Sequence, residues 1–139
     1  IPKGEPCVKN VTLLASAART STSNGDTMPG ADNYTSADVL LTVSAASGTS
    51  PTLDVYIQKL LPDNTTWQDI IHFQQASSTV KQLCSFVMSA TATPITVQTA
   101  AATVNTQVAT LLGGVIRVYY VIGGTNPSFT FSVKADFFA

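Results

Sequence analysis

Gly48-Thr49-Ser50-Pro51-Thr52-Leu53-Asp54-Val55-Tyr56-Ile57 reads as a turn followed by a strand, and Gly124-Thr125-Asn126-Pro127-Ser128-Phe129-Thr130-Phe131-Ser132-Val133 repeats the plan. In the first stretch Leu53, Val55 and Ile57 alternate with Asp54, Tyr56 and Gln58. In the second, Phe129, Phe131 and Val133, continued by Ala135 and Phe137, alternate with Thr130, Ser132, Lys134 and Asp136. A period of two puts the apolar side chains on one face of a sheet. Each stretch follows another strand-like run, 39–45 and 115–122. The two runs around each Gly-Thr-x-Pro turn therefore predict a hairpin, and two hairpins predict an antiparallel sandwich.

Working outward, Val11 to Ala18 reads as a first strand. The polar stretch from Arg19 to Ser36 reads as a long loop with turn formers at Asn24-Gly25-Asp26 and Pro29-Gly30. Val39, Leu41, Val43 and Ala45 form one face of the next run. Pro62-Asp63-Asn64 marks a turn that leads into strands over 67–73 and 80–89. Residues 89–112 are rich in Ala and Thr, and their pattern decides nothing. In the run 115–122 both faces are apolar: Val115, Tyr119 and Val121 on one, Ile116, Val118, Tyr120 and Ile122 on the other. Such a strand is central, with its second face under a loop or against another subunit. The expectation is an all-β fold, an antiparallel β-sandwich of jelly-roll type with about eight strands. Residues 1–10, with Pro2 and Pro6, read as an extended arm, and residues 11–139 as a single sandwich domain.

A chain of 139 residues is long enough to bury the core of one domain. Only 11% of it is charged, and the net charge is −1. Lys3, Lys9, Arg19, Lys59, Lys81, Arg117 and Lys134 form no stripe in sequence, which disfavours nucleic acid as a partner. No apolar run is long enough for a membrane span, and the first residues lack the apolar centre of a secretory leader. Cys7 and Cys84 match no metal or redox spacing.

Little in the sequence points to catalysis. His72 is the one histidine, and in a regular strand Asp69 would not share its face. Glu5 is the one glutamate, so no carboxylate pair stands out for glycoside chemistry. No phosphate-binding glycine loop precedes a helix. The expectation is a protein that is not an enzyme, with no catalytic residue, cofactor or metal. Tyr34, Tyr56 and Trp67 are candidates for stacking on sugars, although a Trp at a strand start more often caps a core.

Several stretches resemble small virion proteins of tailed bacteriophages. They are 11–20 (VTLLASAART), 48–58 (GTSPTLDVYIQ), 62–70 (PDNTTWQDI, near a DGGTTW-D segment of those proteins) and 116–133 (IRVYYVIGGTNPSFTFSV). The resemblance covers most of residues 11–137 and departs over 89–112, which looks like an insertion. It implies a jelly-roll decoration, or cement, protein on the outside of the phage head, commonly a homotrimer, with the major capsid protein as partner. On that reading Ile116, Val118, Tyr120 and Ile122 are expected as an outward row forming a subunit interface. Ile1, Pro2 and Lys3 are expected in an arm that clasps a neighbour. The alternative is a tail or baseplate module that recognises host glycans through Tyr34, Tyr56 or Trp67.

Overall fold

The computed structural model describes residues 8–87, 104, 106–107 and 113–139. Eight strands are present among them: β1 (Val8–Arg19), β2 (Ser23–Asn24), β3 (Met28–Pro29), β4 (Ser36–Leu60), β5 (Trp67–His72), β6 (Val80–Val87), β7 (Thr106–Gln107) and β8 (Val115–Phe138). All pairings are antiparallel. The framework is the pair β4 and β8, which run beside each other from Ser36↔Phe138 to Lys59↔Ile116.

This corrects the hairpin expectation. The runs flanking each Gly-Thr-x-Pro unit do not fold back on each other. Residues 39–43 pair with 131–135, and 52–59 pair with 116–123. Each unit is a kink inside one long strand, and the two kinks lie opposite one another at Thr49↔Thr125. The local cause is the backbone. Gly48 and Gly124 have φ of 113° and 110°, and Ser50 and Asn126 have φ of 49° and 48°. Such conformations bend a strand, and glycine adopts them at little cost.

The kinks let both strands pass from one layer of the sandwich to the other, as corner strands do. The first layer consists of β1, the second half of β8, the first half of β4, and β6. The second consists of β2 and β3, the first half of β8, the second half of β4, then β5 and β7. Side chains from both layers form one core: Val39, Leu41, Phe86, Phe129, Phe131 and Phe137 from the first, and Leu53, Val55, Ile57, Ile70, Ile116 and Val118 from the second. Tyr120 meets Phe131 edge-on across the layers, with ring centroids 5.2 Å apart.

The alternation in 53–57 and 129–137 is confirmed, since every member of those stripes is buried. Ala45, expected on the same face as Val43, is exposed. A register shift between Val43 and Ala45 turns the chain there. Val8, Lys9 and Asn10, expected in the arm, instead pair with Phe138, Phe137 and Asp136 in β1, and the rest of the expected arm lies outside the described residues. The long loop holds β2, β3 and a 3-10 turn at Ala31–Asn33. Ile1, Pro2, Lys3 and Cys7, with most of 89–112, lie outside the described residues.

Candidate functional site

The outward row is corrected first. Ile116, Val118 and Tyr120 are 1%, 0% and 6% exposed, and Ile122 packs against the same core. They form the inner face of β8, so buried Ile116, Val118 and Tyr120 face the core rather than a partner, and only Ile122 keeps part of its surface exposed. The outer face is the alternate set Val115, Arg117, Tyr119 and Val121, all half-buried. Two apolar faces in one strand left the direction open in sequence. Packing against Leu53, Val55 and Ile57 decides it.

That outer face, shared with β4 and β5, gathers the polar and aromatic side chains of the second layer. Cross-strand pairing sets two adjacent rows, Tyr119–Tyr56–His72 and Arg117–Gln58–Asp69. In the first row, the Tyr56 and His72 rings stack with centroids 4.0 Å apart, and Tyr119 lies 5.9 Å from Tyr56. His72 Nε2 lies 3.1 Å from Asp54 Oδ1, while Gln75 Nε2 donates to Asp54 Oδ2 at 2.8 Å.

In the second row, Arg117 Nε donates to Gln58 Oε1 at 2.9 Å, and Gln58 Nε2 donates to Asp69 Oδ1 at 2.8 Å. The amide thus links a cation on β8 to a carboxylate on β5. The Arg117 guanidinium also sits 4.1 Å from the centre of the Trp67 ring. Burial lowers the pKa of Arg117 from its ordinary value. Burial, then the charges of Asp54 and Asp69, raise that of Tyr56.

A register shift between Ile57 and Gln58 brings Asp69 and His72 to one face, which a regular strand would not do. The same irregularity lets the consecutive Ile70 and Ile71 both be buried. It left no mark in the sequence beyond the Ile-Ile pair itself.

Of the three proposed stacking residues, Tyr56 and Trp67 share this outer face. Tyr34 does not: it packs on Phe137 of the first layer, with centroids 5.4 Å apart. Trp67 is not a core cap, since its ring faces Arg117. Tyr119, Arg117, Gln58 and Asp54 were missed as site residues. Their signal was present in the alternation of 54–58 and 117–121, but the partner strand was not. Among the described residues, no group of three or more His, Cys, Asp or Glu is arranged to hold a metal ion. No helix among the described residues is long and apolar enough to cross a membrane. Cys84 is half-buried, and burial followed by the charge of Asp38 raises its pKa.

No known protein family matches the chain, and no curated protein matches it in sequence. Solved structures do match in fold. The chain is similar to one in the structure of infectious bursal disease virus Gx strain, with a TM-score of 0.50 and 11% identity, over 98% of this chain and 32% of that one. A chain in the crystal structure of the infectious bursal disease virus VP2 subviral particle gives a TM-score of 0.44 and 15% identity, over 97% of this chain and 33% of that one. This chain thus spans roughly one third of the length of each viral chain. The fold is an all-β antiparallel jelly roll, similar at low identity to that of a chain in the virus structure.

Proposed function

We propose that the chain is a structural protein of a virus particle, and specifically a decoration or cement protein of a tailed-phage head. The observation that carries this reading is the jelly roll built on two long paired strands, with its fold likeness to a chain in a virus structure over 98% of the present chain. The decoration role in particular rests on the resemblance of residues 11–20, 48–58, 62–70 and 116–133 to tailed-phage virion proteins, a resemblance that marks the fold better than the role and that no family match supports.

The mechanism is mechanical. Each copy bridges neighbouring subunits of the major capsid protein, and self-association as a homotrimer repeats that contact over the shell. Symmetric repetition multiplies a modest contact free energy. The role uses no catalytic residue, cofactor, nucleic acid or membrane. The rigid sandwich serves as a spacer, and Ile1, Pro2 and Lys3 lie in the segment proposed to grip a neighbour.

Cryo-electron microscopy of particles carrying this chain tests the proposal. The expected result is density for the sandwich at three-fold positions over the outer shell of the head. Density confined to a tail or baseplate would overturn it.

A further inference from the structure

We infer that the outer face of the second layer is a saccharide-binding platform, on which Tyr56, Tyr119 and Trp67 stack against the rings of a neutral oligosaccharide while Asp54 and Arg117 take up its hydroxyls. This goes beyond the structural role and holds wherever on the particle the protein sits.

Three observations carry it. The first is the combination of side chains. Three aromatic residues from β4, β8 and β5 lie on one sheet face, and each keeps part of its surface in solvent. Sugar rings present apolar C–H faces, which match aromatic faces, and hydroxyl edges, which match planar polar groups. Asp54, Gln75 and Arg117 supply those planar groups beside the rings. A carboxylate offers about four acceptor positions. The bonds from His72 and Gln75 use one position on each oxygen of Asp54, which leaves acceptor capacity on both.

The second observation is charge. Arg117 is linked through Gln58 to Asp69, so its charge is opposed within the same row. Asp54 adds a further negative group to the face. A surface of this balance has no excess of cations to hold phosphate or sulfate, and a neutral ligand fits it best.

The third is rigidity. Tyr56 is backed by the His72 ring at 4.0 Å and Trp67 by the Arg117 guanidinium at 4.1 Å. Gln58 is fixed at both ends of its amide. Side chains already ordered lose little freedom on binding, and a site on strands keeps its geometry better than one on loops.

The test uses the full chain on an array of neutral hexose and N-acetylhexosamine oligosaccharides, with sialylated and sulfated glycans as charged comparators. Saturation-transfer NMR then follows with the best neutral glycan. The expected result is binding to neutral glycans. Tyr56→Ala and Tyr119→Ala should each weaken it about ten-fold, or roughly 1.4 kcal/mol. Asp54→Asn, which preserves shape, should weaken it with an unchanged circular-dichroism spectrum, and this variant decides the matter if either alanine variant fails to fold. Tyr34→Ala, on the other layer, should leave affinity unchanged. Binding to no neutral glycan, binding only to charged glycans, or affinity that survives Asp54→Asn and Tyr119→Ala would each overturn the inference. None of these outcomes bears on where the protein sits in the particle, which microscopy reads separately.

Discussion

Gly48 and Gly124 occupy equivalent places in the facing kinks of β4 and β8, each pressed against the other strand's kink. A Cβ on Gly48 would lie 2.7 Å from the Asn126 carbonyl oxygen and 2.9 Å from Pro127 Cα. A Cβ on Gly124 would lie 2.7 Å from the Ser50 carbonyl oxygen and 2.9 Å from Pro51 Cα. The sequence repeat Gly-Thr-x-Pro is therefore a local two-fold relation in space, centred on Thr49↔Thr125. Each kink needs the other, because each fills the space a side chain on the facing glycine would take.

Replacing either glycine by alanine adds left-handed backbone strain to a backbone clash. Gly48→Ala and Gly124→Ala should each destabilise the fold by more than about 2 kcal/mol. Exposed Gly114, which has nothing within 4 Å of a built Cβ, is the control. Gly114→Ala should change stability by less than about 0.5 kcal/mol. Urea unfolding of the three variants gives the comparison.

Phe131 is fully buried between the layers, edge-on to Tyr120 and 4.9 Å from the Arg19 guanidinium. Phe131→Ala removes a large side chain that both layers share, and should cost about 3–5 kcal/mol. Leu83, on an edge strand and 64% exposed, should lose less than about 0.5 kcal/mol as Leu83→Ala. Calorimetric melting of both variants checks this.

Gln58 joins Arg117 to Asp69 and is itself buried. Gln58→Leu keeps the bulk but removes one partner from each. Stability should fall by about 1–3 kcal/mol, the usual cost of leaving a buried polar group short of a bond. Adding Arg117→Leu should cost less than the sum of the two single changes, which a double-mutant cycle in urea would show.

Asp63 accepts hydrogen bonds from the backbone N–H groups of Thr65 and Thr66 and from the Thr66 hydroxyl. These bonds favour the charged form and lower its pKa to about 2. A lowered folded-state pKa means the contribution is complete above the ordinary value of 3.8 and is lost as pH falls through about 2. The amide NMR shifts of Thr65 and Thr66 should move with a midpoint near that value, and Asp63→Asn should abolish the movement.

On the cement reading, the segment before β1 grips a neighbouring subunit. Removing residues 1–7, which leaves the described strand β1 (Val8–Arg19) whole, should weaken binding to capsid shells without lowering the melting temperature of the domain. Co-sedimentation with shells that lack the protein checks the first half and calorimetry the second. Unchanged co-sedimentation would remove the segment from the interface.

Much of the sandwich was legible from alternation alone. Leu53-Asp54-Val55-Tyr56-Ile57 and Phe129 to Phe137 declare which side chains face the core, because period two admits one arrangement when only one stripe is apolar. The same rule is silent for Val115 to Ile122, where both stripes are apolar, and there the row expected outward is the inward one. The irregularity at Ile57 and Gln58 was likewise invisible, so Asp69 and His72 were assigned to different faces.

Fold class, the inward faces of the cleanly alternating strands, and the two bends at Gly48 and Gly124 can be read from the residues alone, since these depend on each residue's own size, polarity and allowed φ. Which strands pair is a property of the folded chain. A Gly-Thr-x-Pro unit bends a chain equally well as a hairpin turn or as a kink. The choice follows from burial: β4 and β8, paired side by side and bent together at their kinks, bring two apolar layers face to face over one core. That long-range pairing also set Tyr56, Tyr119, Trp67 and Arg117 on a common surface, and no local pattern contains it.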